Sequence, residues 1–237
     1  METKRRYVIP GDVITTGPFR PEQNVYQEGD RIISTSVGIS EIFENAVRVI
    51  PLTGVYMPKT NDLIIGKVIG HSSLSWEFDI NSCFVGFLPA QDVFGRDYSP
   101  TKDELKERLD KGDLVAARIA NFDRSRDPLL TVQDRDLGKI ESGELIEISP
   151  SKVPRLIGKR GSMIQTIEMA TKAMITIGQN GWIVVSSEDP DGLLKAIEAI
   201  RMVDAQAHMP NLTERVKSML GVELGDNNDT INECKWN

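Results

Sequence analysis

The chain has 237 residues, 40% of them apolar and 27% charged, enough for packed cores and too much for wholesale disorder. No uninterrupted apolar run approaches the ~18 residues a membrane helix needs, and two cysteines and two histidines are too few for a histidine-rich metal centre or a two-histidine mechanism. The net charge of −7 argues against general affinity for nucleic acid, so any such affinity must come from a local basic patch, because screening makes nearby charges count most.

Short strand-like runs come first: Arg6–Ile9, Asp12–Ile14, Arg31–Ile33 and Ala46–Ile50, punctuated by Gly, Pro and Asn. Gly11-Asp12, Gly29-Asp30, Asn61-Asp62 and Gly112-Asp113 each precede an apolar pair, which is turn chemistry and nothing more. An N-terminal β-domain is therefore expected over residues 1–57. A polar linker, Met57–Asn61, closes it.

Five strands are predicted next: Leu63–Gly70, Ser75–Asn81, Phe84–Leu88, Leu114–Phe122 and Leu129–Gln133. Leu105 and Leu109 at i, i+4 predict a short helix over Thr101–Leu109, between the third and fourth. This pattern suggests a small Greek-key barrel of the OB type over residues 61–136. Alternation puts Trp76, Phe78 and Ile80 on one face and Glu77 and Asp79 on the other, so Trp76 is read as core rather than as a stacking platform.

From Gly143 the order becomes β-α-α-β-β-α, to residue 207. Leu145–Ile148 is a strand, Ser149-Pro150-Ser151 a helix start, and Ser162–Ala173 a helix with Met163, Ile164, Ile167, Ala170 and Met174 along one stripe. Met174–Ile177 and Trp182–Val185 are strands joined through Gly178–Gly181, where Asn-Gly signals a hairpin; no helix follows, so it is not a phosphate loop. Asp189-Pro190-Asp191-Gly192 opens a last helix, with Leu193, Ile197, Ile200 and Val203 or Asp204 on one side. Residues 221–237 are acidic and aperiodic and read as a disordered tail.

The chemistry concentrates at Gly158-Lys159-Arg160-Gly161, between the two short helices of that last domain. Glycines let the backbone approach a phosphate without a Cβ in the way. Gly161 and Ser162 open a helix, so unpaired N–H groups and the positive dipole end face the same spot. Between Ser149 and Ile167 the charged residues are Lys152, Arg155, Lys159 and Arg160, all basic. A plain helix–helix turn with solvated charges is the alternative. The stretch Leu156–Ile164 follows the Ile-Gly-x-x-Gly-x-x-Ile core of KH domains, and residues 143–207 resemble that family. The resemblance implies a clamp on about four nucleotides of single-stranded RNA.

Residues 61–135 resemble the RNA-binding OB barrel of ribosomal protein S-one through Gly66-Lys67-Val68, Val85–Leu88, Lys111–Val115 and Asp123–Arg126. Leu74 and Glu77 stand where aromatics are common in that family, and Pro89 where a histidine is usual. Lys67, His71, Arg118, Arg124 and Arg126 remain as cations or hydrogen-bonding groups able to track a backbone, weakly and without regard to base; a solvated rim is the alternative. Asp134 and Asp136 flank Arg135 after the last strand and read as a turn, not a metal pair.

Domain order, together with Val8-Ile9-Pro10-Gly11-Asp12, resembles the RNA-binding cap subunits of the RNA-degrading exosome, archaeal type. The resemblance implies a non-catalytic subunit without cofactor or metal. Three such subunits, alone or mixed with a related one, cap a hexameric ring of phosphorolytic subunits. The N-terminal domain docks on the ring, and RNA, often with A-rich tails, is captured and threaded to active sites elsewhere for 3′ to 5′ degradation. Two other readings stay open: a transcription elongation or antitermination factor, which usually carries two KH repeats, and a phosphorolytic nuclease, whose catalytic core has no counterpart in the sequence. With basic residues but no apolar run behind Met1, no secretory leader is expected, and a reduced cytoplasm is the default compartment.

Overall fold

The computed structural model describes residues 4–43, 45–52, 54–95, 98–100, 104–207, 209 and 211–221. The expectations for Thr101–Asp103, His208, Cys234 and the tail from residue 222 lie outside them.

In the N-terminal part, β1 (Lys4–Val8), β2 (Val13–Thr16), β3 (Arg20–Pro21), β4 (Val25–Glu28), β5 (Arg31–Ser34), β6 (Gly38–Phe43) and β7 (Ala46–Pro51) form two sheets, ordered β1-β6-β7-β3 and β2-β5-β4. Alternation along β7 sends Val47 and Val49 inward, where they meet Val8, Ile14 and Ile32. On the outer face one cross-strand row aligns Arg5, Glu41 and Arg48. Glu41 is buried between the two arginines, 2.6 Å from Arg5 and 2.8 Å from Arg48. Burial alone would raise its pKa, but hydrogen bonds from Arg48 and Arg5 outweigh that and hold the carboxyl below its ordinary value.

The barrel comprises β8 (Leu63–His71), β9 (Ser75–Asp79), β10 (Val85–Pro89), α1 (Ala90–Phe94), β11 (Leu114–Asn121) and β12 (Leu129–Thr131). Its strands run β12-β10-β9-β8-β11, and β11 pairs back onto β12 to close the ring, so no open edge remains among these five. Trp76, Phe78 and Ile80 are fully buried, and the Trp76 indole N–H donates to the Leu109 carbonyl at 3.1 Å. The expected helix up to Leu109 is reduced, among the described residues, to a single 3₁₀ turn, Leu105–Glu107. Leu105 and Leu109 are both buried as their spacing demanded, but one turn suffices to place them, and a helix forms earlier, at α1. The linker Met57–Asn61 is tied at both flanks: Tyr56 before it sits in the barrel core, and its hydroxyl donates to Asp62 after it at 2.7 Å.

A short β13 (Gly138–Ile140) adds to β11 and leads into β14 (Glu144–Glu147), α2 (Val153–Ile157), α3 (Ser162–Thr171), β15 (Met174–Ile177), β16 (Trp182–Ser186) and α4 (Pro190–Gln206). The sheet order is β14-β16-β15, with the helices on one face. A further helix, α5 (Leu212–Leu220), adds Leu212 and Val216 to the same core. Met174 leaves the stripe assigned to it: it begins β15 and is 70% exposed, because strand geometry turns alternate side chains away from the helices.

The barrel and the last domain share a core. In β8, neighbours Ile64 and Ile65 are both fully buried although they point to opposite faces; Ile64 lies in the barrel, while Ile65 meets Trp182 and Val184 outside it. In β16, Ile183 and Val185 face the helices while Trp182 and Val184 face the barrel. That two-sided burial explains the unbroken apolar run of β16.

Candidate nucleic-acid interface

The turn between α2 and α3 is built by two glycines with different tasks. Gly158, at φ 74°, ends α2, and its amide returns to the Pro154 carbonyl at 3.1 Å. A Cβ there would stand 2.8 Å from the Met163 Cβ, so helix α3 packs where only glycine fits. Gly161, at φ 80°, differs: it is buried, yet a Cβ would meet nothing closer than 3.9 Å, so its left-handed backbone rather than crowding is what calls for glycine. Arg160 between them is itself left-handed, at φ 55° and ψ 32°. The Gly161 amide donates to the Gly158 carbonyl at 3.4 Å and the Ser162 amide to the Lys159 carbonyl, so the two amides that the sequence left unpaired are engaged by the tight turn itself, and no side chain caps α3. A helix start without a side-chain cap and two exposed cations thus meet at this turn, a combination suited to a phosphate.

The surrounding cations divide. Arg155, Lys159 and Arg160 are exposed and make no ion pair among the described residues. Lys152 is largely buried and pairs with Asp204 at 2.9 Å, which also accepts from the Ser149 amide. The acid-free stretch therefore acquires an acid from α4 in three dimensions, leaving three unpaired cations of the four. The Ser162 hydroxyl is exposed at the start of α3.

The barrel candidates do not form one track. Lys67 is exposed beside Asp79 on the next strand, and His71 lies four residues further along β8, about 13 Å away at strand rise, in the hairpin with its Nδ1 3.3 Å from the Ser72 carbonyl. Arg118, Arg124 and Arg126 gather toward the other end. Arg118 pairs with Asp134 at 2.9 Å and donates to the Asn61 carbonyl, so its charge is engaged. Asp134 thereby acts as the partner of an arginine. Arg124 and Arg126 are exposed on the loop after β11. Asp123 orders this loop by accepting from the Ser125 hydroxyl at 2.8 Å and the Ser125 and Arg126 amides, and those bonds hold its carboxyl below the ordinary range.

Sequence reasoning took Gly178–Gly181 for a simple hairpin; structurally it is a joint. Asn180 is fully buried in the barrel wall. Its Nδ2 donates to the Ile65 and Ile80 carbonyls at 2.7 and 2.9 Å, and its Oδ1 accepts from the Ile65 amide at 3.3 Å. Pairing between β8 and β9 begins only at Lys67 and Asp79, so the strand edges before that point would be orphaned. Asn180 fills the gap, the Gln179 amide continues it to the Leu63 carbonyl at 2.7 Å, and Asn81 returns a bond to the Asn180 carbonyl at 3.0 Å. A turn asparagine gives no local sign of this; only a partner 115 residues away reveals it.

A closed five-stranded barrel fused to a KH domain with an open Gly-x-x-Gly turn defines a multidomain RNA-binding protein. Family profiles match an exosome RNA-binding protein RRP4 N-terminal domain at residues 5–53 and a KH domain at 143–202. The chain is 72% identical over 220 residues to the exosome complex component Rrp4 of Nitrosopumilus maritimus, covering 93% of this chain and 97% of that one. It is 42% identical over 223 residues to the Rrp4 of Thermofilum pendens, covering 93% and 94%. A crystal structure of a protein described as exosome-complex RNA-binding superposes with a TM-score of 0.67 at 38% identity, over 71% of this chain and 96% of that one. The chain belongs to the Rrp4 family.

Proposed function

We propose that this protein is the RNA-binding cap component of an exosome that degrades RNA 3′ to 5′, and that it captures RNA without cutting it. The observation that carries the reading is the Gly158–Gly161 turn at the uncapped start of α3, with the exposed and unpaired cations Arg155, Lys159 and Arg160 around it, in a chain of the Rrp4 family. Family membership favours the exosome over the elongation-factor reading.

In the proposed division of labour, residues 1–57 dock on a hexameric phosphorolytic ring, the barrel over 61–136 lines the entry, and the KH domain over 143–207 grips the strand. Three copies, alone or mixed with a related subunit, would form the cap, so weak contacts gain through effective concentration. The cytoplasm is the proposed compartment; among the described residues no helix is long and apolar enough to cross a membrane. RNA contacts are assigned to Arg155, Gly158, Lys159, Arg160, Gly161 and Ser162 first, with Lys67, His71, Arg124 and Arg126 as secondary points, and with Lys152 and Arg118 held back by their ion pairs.

Co-purification from source cells tests the assembly. Phosphorolytic ring subunits are expected with the whole chain, and their loss on deleting residues 1–55 while RNA binding survives. Recovery of RNA polymerase instead, or ring binding by the truncated chain, overturns the reading.

A further inference from the structure

A cleft of about 940 Å³ opens where all three domains meet. Gly158 forms part of its wall, so the cleft adjoins the first residue of the turn. Met57, Pro154 and Ile157 give it an apolar side, while Lys59 and Arg124 bring cations from the linker and from the barrel loop. Arg124 is exposed, makes no ion pair among the described residues, and is left-handed at φ 67°. That conformation is disfavoured for a residue with a Cβ, and Arg160, two residues beyond Gly158, adopts it too. Two acids, Glu22 and Asp62, also reach the cleft. Asp62 is half-buried, and burial pushes its carboxyl above the ordinary pKa, although the Tyr56 hydroxyl and Lys59 partly offset the effect.

We propose that this cleft is a second seat for RNA, taking the nucleotides that follow those gripped at the Gly158–Gly161 turn, a proposal that rests on the KH clamp. The volume lies near the top of the ~300–1,000 Å³ range of pockets that enclose a small ligand, enough for a nucleotide with its phosphate. The apolar wall suits a base face, and Arg124 and Lys59 suit the phosphate next to it. Ring docking through the N-terminal domain would leave the strand continuous from the KH turn to the barrel loop. Arg124, which the sequence offered as a weak backbone contact of the barrel, thereby belongs to the KH site.

The test compares a tetramer and a heptamer of oligoadenylate by fluorescence anisotropy on the whole chain. A heptamer offers a four-nucleotide site about four registers, so about fourfold tighter binding is statistical. The wild-type ratio should be several times larger. In the double variant Lys59→Glu, Arg124→Glu it should fall to about fourfold, and Arg124→Lys should keep most of the gain; both residues are exposed, so an unchanged melting temperature is expected. A ratio that survives the charge reversal, or that never exceeds fourfold in the wild type, overturns the cleft. If Lys159→Asp with Arg160→Asp leaves tetramer affinity unchanged, the clamp beneath the proposal fails instead.

Discussion

Replacing Asn180 with alanine should uncouple the barrel from the KH domain. The substitution removes three hydrogen bonds at 2.7, 2.9 and 3.3 Å and leaves the Ile65 amide and the Ile65 and Ile80 carbonyls facing a buried joint. Each bond contributes about 1 kcal/mol net, which sets a floor of about 3 kcal/mol, and three orphaned groups at about 1–3 kcal/mol each, where water cannot reach them, put the total at about 3–9 kcal/mol. At about 2–4 °C per kcal/mol for a chain of this size, the melting temperature should drop by at least about 6 °C. Asn180→Asp should be worse, because a carboxylate would face two carbonyls without a proton to donate. Hydrogen exchange localises the effect: the Ile65 amide, protected in the wild type, should exchange far faster in the alanine variant. The KH core should lose less, since its own cluster excludes Asn180. A midpoint within ~0.5 kcal/mol of the wild type, or unchanged protection at Ile65, would refute the joint.

Charge reversal at the turn, Lys159→Asp with Arg160→Asp, should weaken single-stranded RNA binding tenfold or more without altering the melting curve; equal affinity counts against the clamp. With three unpaired cations there, log affinity should fall with log salt at a slope of about −2, rather than the −3 that four cations would give, because Lys152 is already neutralised by Asp204. A flat profile would mean the cations are idle. Glu41→Gln should cost about 1 kcal/mol at neutral pH, the discount reflecting how exposed its arginine partners are. Its folded pKa is lowered, so its contribution is complete above the unfolded value of about 4.3 and is lost as pH falls through the folded one. Denaturant midpoints of the two proteins should therefore converge in acid, and a constant gap at every pH would show that the carboxylate charge is not the source.

Much of the architecture was legible because it is periodic. Trp76, Phe78 and Ile80 announced the barrel interior by alternating with Glu77 and Asp79, and burial followed. The Gly158–Gly161 turn was legible because glycine spacing and clustered cations are local features. The helix over Thr101–Leu109 was misjudged, since two leucines four apart fit one 3₁₀ turn as well as a longer helix. Met174 was read correctly as the first residue of a strand but was also counted on the stripe of the preceding helix, because helical spacing carried past Thr171, where α3 ends, still reaches it.

The main strands of the barrel, the β-α-α-β-β-α order after it, the inward faces and the Gly-x-x-Gly turn follow from near-neighbour chemistry, and the residues alone determined them. Folding decided what distant segments do to one another. It brought Asp204 to Lys152 and Asp134 to Arg118, cancelling charges that looked free. It also pressed Asn180 into a gap between two barrel strands, and brought Arg124 to the cleft that Gly158 borders. Such pairings depend on how whole domains pack, and packing is a property of three-dimensional surfaces that no local spacing encodes.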